Sequence, residues 1–532
     1  LIALQTWREK GSEISYSALL SKSFSVARYL VKAGLQKGDK VAILGESCPN
    51  WGLAYLSVNR AGGIAVPILP NFSKEEVRAI LAHSESKFVC VNGKNAEKVA
   101  DSGIGLIRME DMFALPADSA EMFDCKNFLE LGGIDTKGSV LHEEDREELA
   151  SRRLGEDDVV SIIYTSGTTG TPKAVMLTNK NIVWNAYVCS TPFIRIIPGW
   201  NALSILPLSH VYEFTIGFIL LLINGTQIVY LGKAPSTDSL MPAFKEVQPE
   251  IMLSVPLLIE KIYRRALAPR LKEGTKLGRF ARNPITAPIV YSVIRKKVKT
   301  IFGGRLRFFG VGGAPLDSEA EAFFHRIKFP YALGYGLTET APFIAGCGPK
   351  DQVVGTLGPV LSGLDVKLDS ETGEVLIKGP SVMKGYYKNP EMTDEVFTKD
   401  GYFKTGDIGV FKQGRLAIKG RCKTMILGPS GENIYPENIE FMINAEEDVL
   451  ESLVVSDEAG LTAMIRVDIK ALKKKGIIAK EAIQEYLNGI RKHVNEKLSS
   501  FSRIGKVEIQ ETPFERTPTD KIKRFLYQKK AR

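Results

Sequence analysis

An alternation of apolar runs and helical patterns near the amino end restricts the fold of this chain more than any other feature. Val41–Leu44 is a short apolar run, residues 51–61 have a helical pattern, and Ala65–Ile68 is a second apolar run. A strand, a helix and a strand at this spacing predict a βαβ unit with a parallel sheet. Strand-like runs recur at Val159–Tyr164, Gln227–Leu231 and Arg307–Val311. The chain is therefore expected to fold as an α/β protein with doubly wound sheets.

The length of 532 residues predicts more than one domain, because a single core usually stops growing at about 250–300 residues. Between residues 355 and 419, short strand-like pieces alternate with glycine-rich turns, which favours a small β-barrel-like subdomain. A compact α+β pattern follows. We therefore predict a large N-terminal domain over residues 1–421 that contains the β-rich subdomain, and a small, mobile α+β C-terminal domain over residues 422–532.

The composition is that of an ordinary globular chain, with 44% hydrophobic and 25% charged residues, which argues against a disordered or collagen-like protein. The six cysteines include no C-x-x-C pair, so reduced thiols in the cytoplasm are expected and a zinc site is not. The longest continuously apolar segment, Phe214–Ile223, is too short to cross a hydrocarbon core of about 30 Å. The chain begins at Leu1 rather than at methionine, so its native start is expected upstream.

The positive net charge of +9 comes from one segment. Lys261–Arg307 contains 14 lysines and arginines and a single acidic residue, Glu273. Three interpretations stay open: a solvated face, a surface for an anionic membrane, or a dock for an acidic carrier protein or the phosphates of coenzyme A (CoA). No basic motif with interleaved aromatic residues is present, so nucleic acid is not an expected partner.

A loop rich in hydroxyl residues follows the apolar run at Val159–Tyr164. Thr165–Thr171 contains five hydroxyl residues and two glycines, and Lys173 follows it. Glycines let backbone N–H groups converge on an anion, hydroxyls donate further hydrogen bonds, and lysine adds a positive charge. Pro172 before the lysine excludes the common P-loop pattern. The candidate phosphate-binding residues of this loop are Thr165, Ser166, Gly167, Thr168, Thr169, Gly170 and Lys173.

This segment resembles the phosphate loop of the adenylate-forming superfamily, which includes acyl- and aryl-CoA synthetases, luciferases and the adenylation domains of peptide synthetases. Five further segments resemble motifs of the same superfamily in the same chain order. They are the adenine-proximal loop Gly312-Gly313-Ala314-Pro315, the Y-G-x-T-E segment Tyr335–Thr340, the T-G-D segment Thr405-Gly406-Asp407, the hinge Gly420-Arg421-Cys422-Lys423, and the C-terminal segment Thr517–Arg524.

The resemblance implies an ATP- and Mg²⁺-dependent reaction in which a carboxylate displaces pyrophosphate from ATP to form an acyl-adenylate, and a thiol such as that of CoA then takes the acyl group. It implies nucleotide-binding roles for Gly313, Ala314, Pro315 and Gly336. It further implies that Tyr335 stacks on adenine, that Thr338 binds the α-phosphate, and that Glu339 holds Mg²⁺.

The C-terminal motifs imply further roles. By resemblance, Asp407 accepts hydrogen bonds from the ribose hydroxyls and Arg421 supports the ribose or a phosphate. Lys521 bridges the carboxylate and the α-phosphate during adenylation, although Asp520 stands where the family has glycine. The C-terminal domain then swings about the hinge residue, which corresponds to Lys423. The segment Gly431–Ile434 would afterwards line the channel for the pantetheine arm.

The segment Pro207–Phe214 indicates which carboxylic acid is activated. It resembles the P-L-x-H segment of the family. Its Tyr-Glu-Phe continuation resembles bacterial medium- and long-chain fatty acid–CoA ligases and acyl carrier protein ligases. In that family the histidine, here His210, gates the acyl pocket and the pantetheine tunnel. Phe214–Ile223 is expected either to form an apolar wall of this pocket or to pack in the core.

The sequence therefore predicts a fatty acid–CoA ligase in the cytoplasm or at the inner face of its membrane, with a ligase for acyl carrier protein as the alternative. An adenylation domain for amino acids would be expected to present an acid after the Y-G-x-T-E segment, and Ala341–Gly346 has none. A nucleotide-binding regulator without turnover is an alternative of another class. Asp520 is the feature in its favour, and Glu339, Asp407 and Lys521 argue against it.

Overall fold

A computed structural model describes residues 1–100, 102–115, 143–165, 173–190, 193–272, 274–427, 432–457, 460–517 and 521–528. The chain divides into two compact units. The first comprises Leu1–Thr165, Pro172–Asp365 and Lys378–Gly401, and the second comprises Ser166–Thr171, Val366–Ile377 and Tyr402–Arg532. The domain boundary that we predict at residues 420–423 falls within the second unit and stays a prediction.

The described residues form twenty-five β-strands. They are β1 (Ile2–Thr6), β2 (Ile14–Ser15), β3 (Lys40–Leu44), β4 (Ile64–Ile68), β5 (Ser86–Val91), β6 (Gly105–Arg108), β7 (Phe113–Leu115), β8 (Val159–Thr165), β9 (Lys173–Thr178), β10 (Asn201–Ser204), β11 (Gln227–Tyr230), β12 (Ile251–Ser254), β13 (Phe308–Val311), β14 (Tyr331–Gly336), β15 (Phe343–Gly346), β16 (Asp365–Leu368), β17 (Glu374–Lys378), β18 (Gly385–Tyr386), β19 (Phe403–Lys412), β20 (Arg415–Arg421), β21 (Ile426–Leu427), β22 (Asn433–Ile434), β23 (Val449–Asp457), β24 (Gly460–Val467) and β25 (Ile504–Ile509).

The same residues form seventeen α-helices. They are α1 (Tyr16–Lys32), α2 (Pro49–Arg60), α3 (Lys74–Ser84), α4 (Ala96–Val99), α5 (Glu143–Ser151), α6 (Asn179–Ser190), α7 (Leu221–Ile223), α8 (Thr237–Val247), α9 (Pro256–Ile262), α10 (Ala268–Leu271), α11 (Lys276–Arg282), α12 (Ala287–Ile301), α13 (Ser318–Arg326), α14 (Pro390–Val396), α15 (Pro436–Asn444), α16 (Ile469–Lys474) and α17 (Lys480–Lys497). Short 3₁₀ segments occur at Gly93–Asn95, Thr338–Thr340, Ser500–Ser502 and Arg524–Leu526, and π-helical turns at Glu213–Leu220 and Tyr263–Leu267.

Two eight-stranded sheets form the framework of the first unit. The first sheet has the order β15-β14-β13-β12-β10-β11-β1-β2, and the second has the order β18-β9-β8-β4-β3-β5-β6-β7. The predicted βαβ unit is present, because β3 and β4 are parallel neighbours and α2 connects them. Both sheets are mainly parallel with helices between consecutive strands, so the mixed α/β class predicted from the sequence agrees with the structure.

The second unit is built from smaller sheets. A four-stranded sheet of order β16-β17-β19-β20 lies where the β-rich subdomain is predicted, and its β17–β19 and β19–β20 pairs are antiparallel. A three-stranded sheet of β23, β24 and β25 packs with α15 and α17 around an apolar cluster that includes Ile443, Ala463 and Leu487. The cluster gives the carboxyl-terminal part of the chain a core of its own.

None of the helices in the described part of the chain combines the length and the apolar character that a transmembrane helix requires.

Candidate active site

The first sheet brings three of the predicted motifs to one edge. Strands β10, β12, β13 and β14 are parallel neighbours, so their carboxyl ends lie at the same edge of the sheet. Ligands of open α/β sheets bind at such edges. The segments that follow these carboxyl ends are Pro207–His210, Gly312–Pro315 and Leu337–Glu339.

The second sheet positions the ends of the predicted phosphate loop. Strand β8 runs parallel to β4, and it pairs antiparallel with β9 so that Thr165 faces Lys173. These two residues are therefore the ends of a hairpin connection. Ser166, Gly167, Thr168, Thr169 and Gly170 lie outside the described residues, so their phosphate-binding roles stay predictions.

A hydrogen-bonded link joins two predicted site residues through a tyrosine that the motifs do not include. Tyr386, on β18 beside β9, donates its hydroxyl proton to Glu339 Oε1 at 3.0 Å. Lys173 Nζ donates to the same hydroxyl at 3.4 Å, and its charge lies 4.9 Å from the centre of the tyrosine ring. Burial, together with the Glu339 charge, raises the pKa of Tyr386, so the hydroxyl keeps its proton and remains a donor.

Sequence reasoning missed Tyr386. The signal available was the pair of aromatic residues Tyr386 and Tyr387 after Gly385 in the first unit's last segment. Nothing in that local pattern distinguishes the two tyrosines. Only the pairing of β18 with β9 shows that Tyr386 is the one beside Lys173.

The turn that carries Thr338 and Glu339 is held by a buried asparagine. Asn185 on α6 is fully buried, and its Nδ2 donates to Thr340 O at 3.3 Å and to Phe343 O at 2.9 Å. Its Oδ1 accepts from Phe343 N at 3.2 Å. The side chain therefore binds three backbone groups, one at the end of the turn and two in the strand that follows it.

Close backbone packing explains the glycine of the Y-G-x-T-E segment. A Cβ atom on Gly336 would lie 1.8 Å from Pro342 O, which no side chain can accommodate. The adjacent Tyr335 is 9% exposed on β14, and Gly313 adopts a φ of +85° in an exposed loop with Ala314 and Pro315. The predicted adenine-binding residues therefore lie at the carboxyl ends of two adjacent strands, β13 and β14.

The loop that carries His210 is fixed to the second sheet by Ser47. Ser47 Oγ donates to Leu206 O at 3.1 Å and accepts from Leu208 N at 2.8 Å. His210 is half-buried, and its backbone begins the turn that leads into the π-helical segment, because its carbonyl accepts from Phe214 N at 2.9 Å. Its predicted gating role stays a prediction.

A small apolar cavity of about 10 Å³, the room of about one water molecule, lies within the first unit. Gly334, immediately before Tyr335 of the Y-G-x-T-E segment, and Ile216 of the π-helical turn both line it. Phe343 is held edge-on by Phe193 and Tyr212 at ring distances of 5.9 and 5.6 Å. The lining residues are Phe193, Tyr212, Ile216, Leu253, Phe308, Gly310, Ala332, Leu333, Gly334, Phe343 and Cys347. Within Phe214–Ile223, Ile216 lines the cavity, whereas Phe214 and Phe218 are fully buried in the core. The expected role of this segment as a wall of the acyl pocket stays a prediction.

The first residue of the π-helical turn, Glu213, carries a buried carboxyl group. Glu213 is 1% exposed, and its Oε1 accepts a hydrogen bond from Ser204 Oγ at 2.6 Å. Among the described residues, none gives Oε2 a hydrogen bond. Burial raises the pKa of Glu213 to about 8, although the Ser204 bond opposes the change. The residue is therefore neutral at pH 7, which avoids the cost of a buried charge.

In the second unit, the T-G-D and hinge motifs are two strands of one hairpin. Asp407 on β19 lies opposite Arg421 on β20, and Arg421 Nε lies 3.2 Å from Asp407 Oδ1. Gly406 has a φ of +74°, and its N–H donates to Glu374 Oε1 at 2.7 Å. Asp407 is 4% exposed. The pair is therefore a pre-organised carboxylate–guanidinium unit, and its roles toward ribose and phosphate stay predictions.

The predicted pivot Lys423 lies in the turn after β20. Its side chain is exposed, and the turn is closed by a hydrogen bond from Met425 N to Arg421 O at 3.1 Å. The predicted channel residue Gly431 lies outside the described residues.

Lys521 stands at the end of a narrow hairpin. Its N–H donates to Thr517 Oγ1 at 3.2 Å, and its carbonyl accepts from Thr517 N at 2.7 Å. Its side chain is exposed, whereas Asp520 lies outside the described residues. The first residue of the C-terminal motif Thr517–Arg524 is thus explained, because Thr517 closes the hairpin backbone.

Two arginines fix this hairpin to the unit. Arg524 pairs with Glu440 on α15 and donates to Val454 O, and Arg516 pairs with Glu451 on β23. Burial opposes ionisation of Glu451, but Arg516 and Arg466 outweigh it and hold its pKa below the usual range. The final arginine of the motif therefore anchors the hairpin that carries Lys521.

Three comparisons with known proteins place this chain among its relatives. The long-chain fatty acid–CoA ligase FadD15 of Mycobacterium bovis is 28% identical over 473 residues, which cover 84% of this chain and 75% of that protein. The chloroplastic long-chain fatty acid–[acyl-carrier-protein] ligase AEE15 of Arabidopsis thaliana is 27% identical, over 97% of this chain and 81% of that protein. The crystal structure of ATP-bound MatB from Rhodopseudomonas palustris has the same fold, with a TM-score of 0.74, 24% identity, and coverage of 99% of this chain and 95% of that chain.

A family model described as AMP-binding enzyme matches residues 2–387. The match contains the predicted phosphate loop, the adenine-proximal loop and the Y-G-x-T-E segment. It confirms the resemblance that the six motifs indicate. The chain belongs to the AMP-binding enzyme family.

Proposed function

We propose that this protein activates a fatty acid with ATP, forming an acyl-adenylate and pyrophosphate, and then transfers the acyl group to the thiol of CoA. The observation that carries the proposal is the group of apolar side chains around the small cavity lined by Gly334, one residue before Tyr335 of the Y-G-x-T-E segment. We propose that the acyl chain binds among these side chains, next to the residues expected to bind the nucleotide. The name of the relative from M. bovis, a long-chain fatty acid–CoA ligase, supports the same substrate class.

In the adenylation step, an anionic carboxylate attacks an anionic phosphate, so the protein must neutralise charge as it develops. Lys173 supplies a positive charge at one end of the phosphate loop, and Thr338 supplies a hydroxyl at the sheet edge. Tyr386 fixes the Lys173 ammonium and the Glu339 carboxylate relative to each other. These positions are supported by the hydrogen bonds and need no rearrangement within the first unit.

Glu339 is the residue that we propose as the protein ligand of Mg²⁺. Mg²⁺ commonly binds nucleotide phosphates with only one or two protein carboxylates, so a single glutamate with Oε1 oriented by Tyr386 fits the ion. When bound, Mg²⁺ would neutralise part of the phosphate charge. The expected nucleotide contacts of Gly313, Ala314, Pro315, Tyr335 and Gly336 complete the proposal for the first unit.

For the second unit, we propose that Asp407 binds the ribose hydroxyls, with Arg421 holding its carboxylate in place. Lys521 is proposed to neutralise the carboxylate and the α-phosphate during adenylation. Arg516 and Arg524 fix the segment that presents it to the second unit, and the Lys521 side chain is exposed. Lys423 is proposed as the pivot for the thiol step, and His210 as the gate between acid and thiol.

An acyl carrier protein is the alternative acceptor. The relative AEE15, named as a fatty acid–[acyl-carrier-protein] ligase, favours keeping this candidate. Both acceptors present a thiol, so the first half-reaction is the same. For location we propose the cytoplasm, because the five described cysteines are free thiols.

The test is a panel of radiolabelled straight-chain acids of increasing length with ATP, Mg²⁺ and either CoA or acyl carrier protein. We expect pyrophosphate release that depends on the acid, strongest for medium or long chains, and label recovered on CoA. Label recovered on the carrier protein alone would establish the alternative acceptor. Pyrophosphate release with amino acids but not with fatty acids would contradict the proposal.

A further inference from the structure

The basic segment Lys261–Arg307 contains a helical hairpin with an apolar turn. Helix α11 and helix α12 are joined by residues 283–286. Large apolar side chains are exposed along the hairpin: Phe280 by 55%, Ile285 by 84%, Ile289 by 68% and Val293 by 50%. Single exposed apolar residues are normal on protein surfaces, but a cluster of large ones marks an interaction site.

Helix α12 is apolar on two sides. Ile294 and Val298 are buried on one side in the core of the first unit, with Val290 packed against that core. Ile289 and Val293 lie on a different side, because helical residues four apart share a face and these two are exposed. The outer apolar face therefore contributes nothing to the core of the described fold.

Side-chain hydrogen bonds hold the turn in place. Thr286 Oγ1 donates to Phe280 O at 2.6 Å, and Tyr291 OH donates to Ala281 O at 3.0 Å. These bonds fasten the end of α11 to the start of α12 on both sides of Ile285. The exposed apolar side chains are thus presented by a defined structure.

Exposed basic residues lie on both helices of the hairpin. Lys296 and Lys297 continue α12 beyond Val293, and both are exposed. Burial and the neighbouring charges of Arg307 and Arg295 lower the pKa of Lys299, which indicates a concentration of positive charge at this end of α12. The exposed basic residues of α11 and the segment before it are Lys272, Lys276, Arg279 and Arg282.

This combination favours one of the three interpretations left open by the sequence. A solvated face requires the charges but not Ile285 and Ile289. A protein dock is usually enriched in aromatic residues and depleted in lysine, whereas here lysines accompany branched aliphatic residues. Lysine and arginine around exposed apolar side chains are typical of a segment that lies in the interface of an anionic bilayer.

We propose that the α11–α12 hairpin binds anionic membrane surfaces, with Phe280, Ile285 and Ile289 in the interfacial region and the surrounding lysines and arginines against lipid headgroups. The benefit of this contact rests on the proposed function, because the proposed substrates, free fatty acids, partition into bilayers and would be reached there. The contact itself is independent of catalysis, so its failure would leave the ligase proposal unaffected.

The experiment is co-sedimentation of the full chain with vesicles of phosphatidylcholine, with and without phosphatidylserine. We expect binding only with phosphatidylserine, weakened at high salt. The double variant Lys296→Gln/Lys297→Gln should weaken binding on the order of 10- to 30-fold. The double variant Ile285→Ser/Ile289→Ser should weaken it by a comparable factor because it removes buried apolar area.

Matched controls carry the same substitutions elsewhere. Ile223→Ser removes an apolar side chain that is 56% exposed outside the hairpin, and Lys473→Gln/Lys474→Gln removes two exposed lysines of α16. Both controls should bind like the unmodified protein. Unchanged thermal unfolding of all variants would verify that the fold is retained.

Three outcomes would overturn the proposal. The first is binding that neither hairpin variant changes. The second is loss of binding with the lysine variant but full binding with the serine variant, which would identify a purely electrostatic surface. The third is absence of vesicle binding together with a complex with acyl carrier protein that the lysine variant abolishes, which would assign the surface to that protein.

Discussion

The hydroxyl group of Tyr386 lies 3.0 Å from Glu339 Oε1 and donates a hydrogen bond to it. The two residues are far apart in the sequence, and they meet because β18 pairs with β9 and because Met383 N donates to Glu339 O at 2.8 Å. Lys173 Nζ reaches the same hydroxyl. This tyrosine therefore connects the cation of the phosphate loop with the carboxylate proposed to bind Mg²⁺.

Replacing Tyr386 with phenylalanine should slow adenylation while leaving the fold intact. A hydrogen bond to a charged group is worth about 1.5–3 kcal/mol, so kcat/KM for acid-dependent ATP–pyrophosphate exchange should fall on the order of 10- to 100-fold. The Mg²⁺ concentration needed for half-maximal rate should rise, because Glu339 loses its orienting donor. Tyr387→Phe is the matched control, since that hydroxyl lies 3.4 Å from the surface carboxylate of Glu85. Equal kinetics for the two variants would rule out the role of Tyr386.

Filling the apolar cavity should discriminate among acids by length. Ile216→Trp places a larger side chain among the apolar residues that line the cavity. We expect KM for the longest acid accepted to rise on the order of tenfold or more, with a smaller effect for short acids and none on KM for ATP. Ile216→Leu, which conserves volume, is the control. A uniform change across all chain lengths would show that the acyl chain binds elsewhere.

Removing the Lys521 side chain should separate the two half-reactions. Lys521→Ala should abolish acyl-adenylate formation from acid and ATP, but spare thioester formation when acyl-adenylate is supplied. Lys523→Ala serves as the control, because Lys523 lies two positions away and its Nζ is 3.9 Å from Glu515. If Lys521→Ala slowed both half-reactions equally, the proposed adenylation role would be wrong. If the unmodified protein catalysed neither half-reaction, the result would instead fit the alternative of a nucleotide-binding regulator without turnover.

Restricting the backbone at Lys423 should impair the thiol step. Proline fixes φ, so Lys423→Pro should slow transfer from acyl-adenylate to CoA more than it slows adenylation. Lys423→Ala removes the same side chain but leaves the backbone free, and it should transfer at nearly the normal rate. The comparison is made by single-turnover measurements of each half-reaction. An unaffected thioester rate in the proline variant would exclude a pivot at this residue.

The buried carboxyl group of Glu213 should make stability depend on pH. An ordinary glutamate releases its proton near pH 4.5, whereas the pKa of Glu213 in the folded protein is about 8. Between these values the folded protein binds more protons than the unfolded chain, so the free energy of unfolding falls as pH rises, by about 1.4 kcal/mol per pH unit at most for this group. Glu213→Gln removes this contribution.

The thermal unfolding midpoint of Glu213→Gln should therefore approach that of the unmodified protein at pH 5 and exceed it at pH 8. The difference in midpoint between the variant and the unmodified protein is measured at both pH values, and the value at pH 5 serves as the control for the value at pH 8. An identical difference at the two pH values would show that Glu213 does not titrate as its burial indicates.

The sequence determined the family and several of the strands. The predicted runs at Val41–Leu44, Ala65–Ile68 and Val159–Tyr164 are strands, because alternation of apolar runs with helical patterns is a local property of the chain. The six motifs were identifiable for the same reason, since each consists of adjacent residues whose backbone freedom, hydroxyls and charges act together.

Only the tertiary structure selected Tyr386 rather than Tyr387, placed Asn185 behind the Thr338 turn, and opened a cavity next to Gly334. The excess charge of Lys261–Arg307 was evident from the sequence, but the exposure of Ile285 and Ile289 was not. The physical reason is that hydrogen-bond partners, enclosed volume and burial depend on which distant segments become neighbours. Local patterns specify the elements, and long-range packing specifies what each side chain contacts.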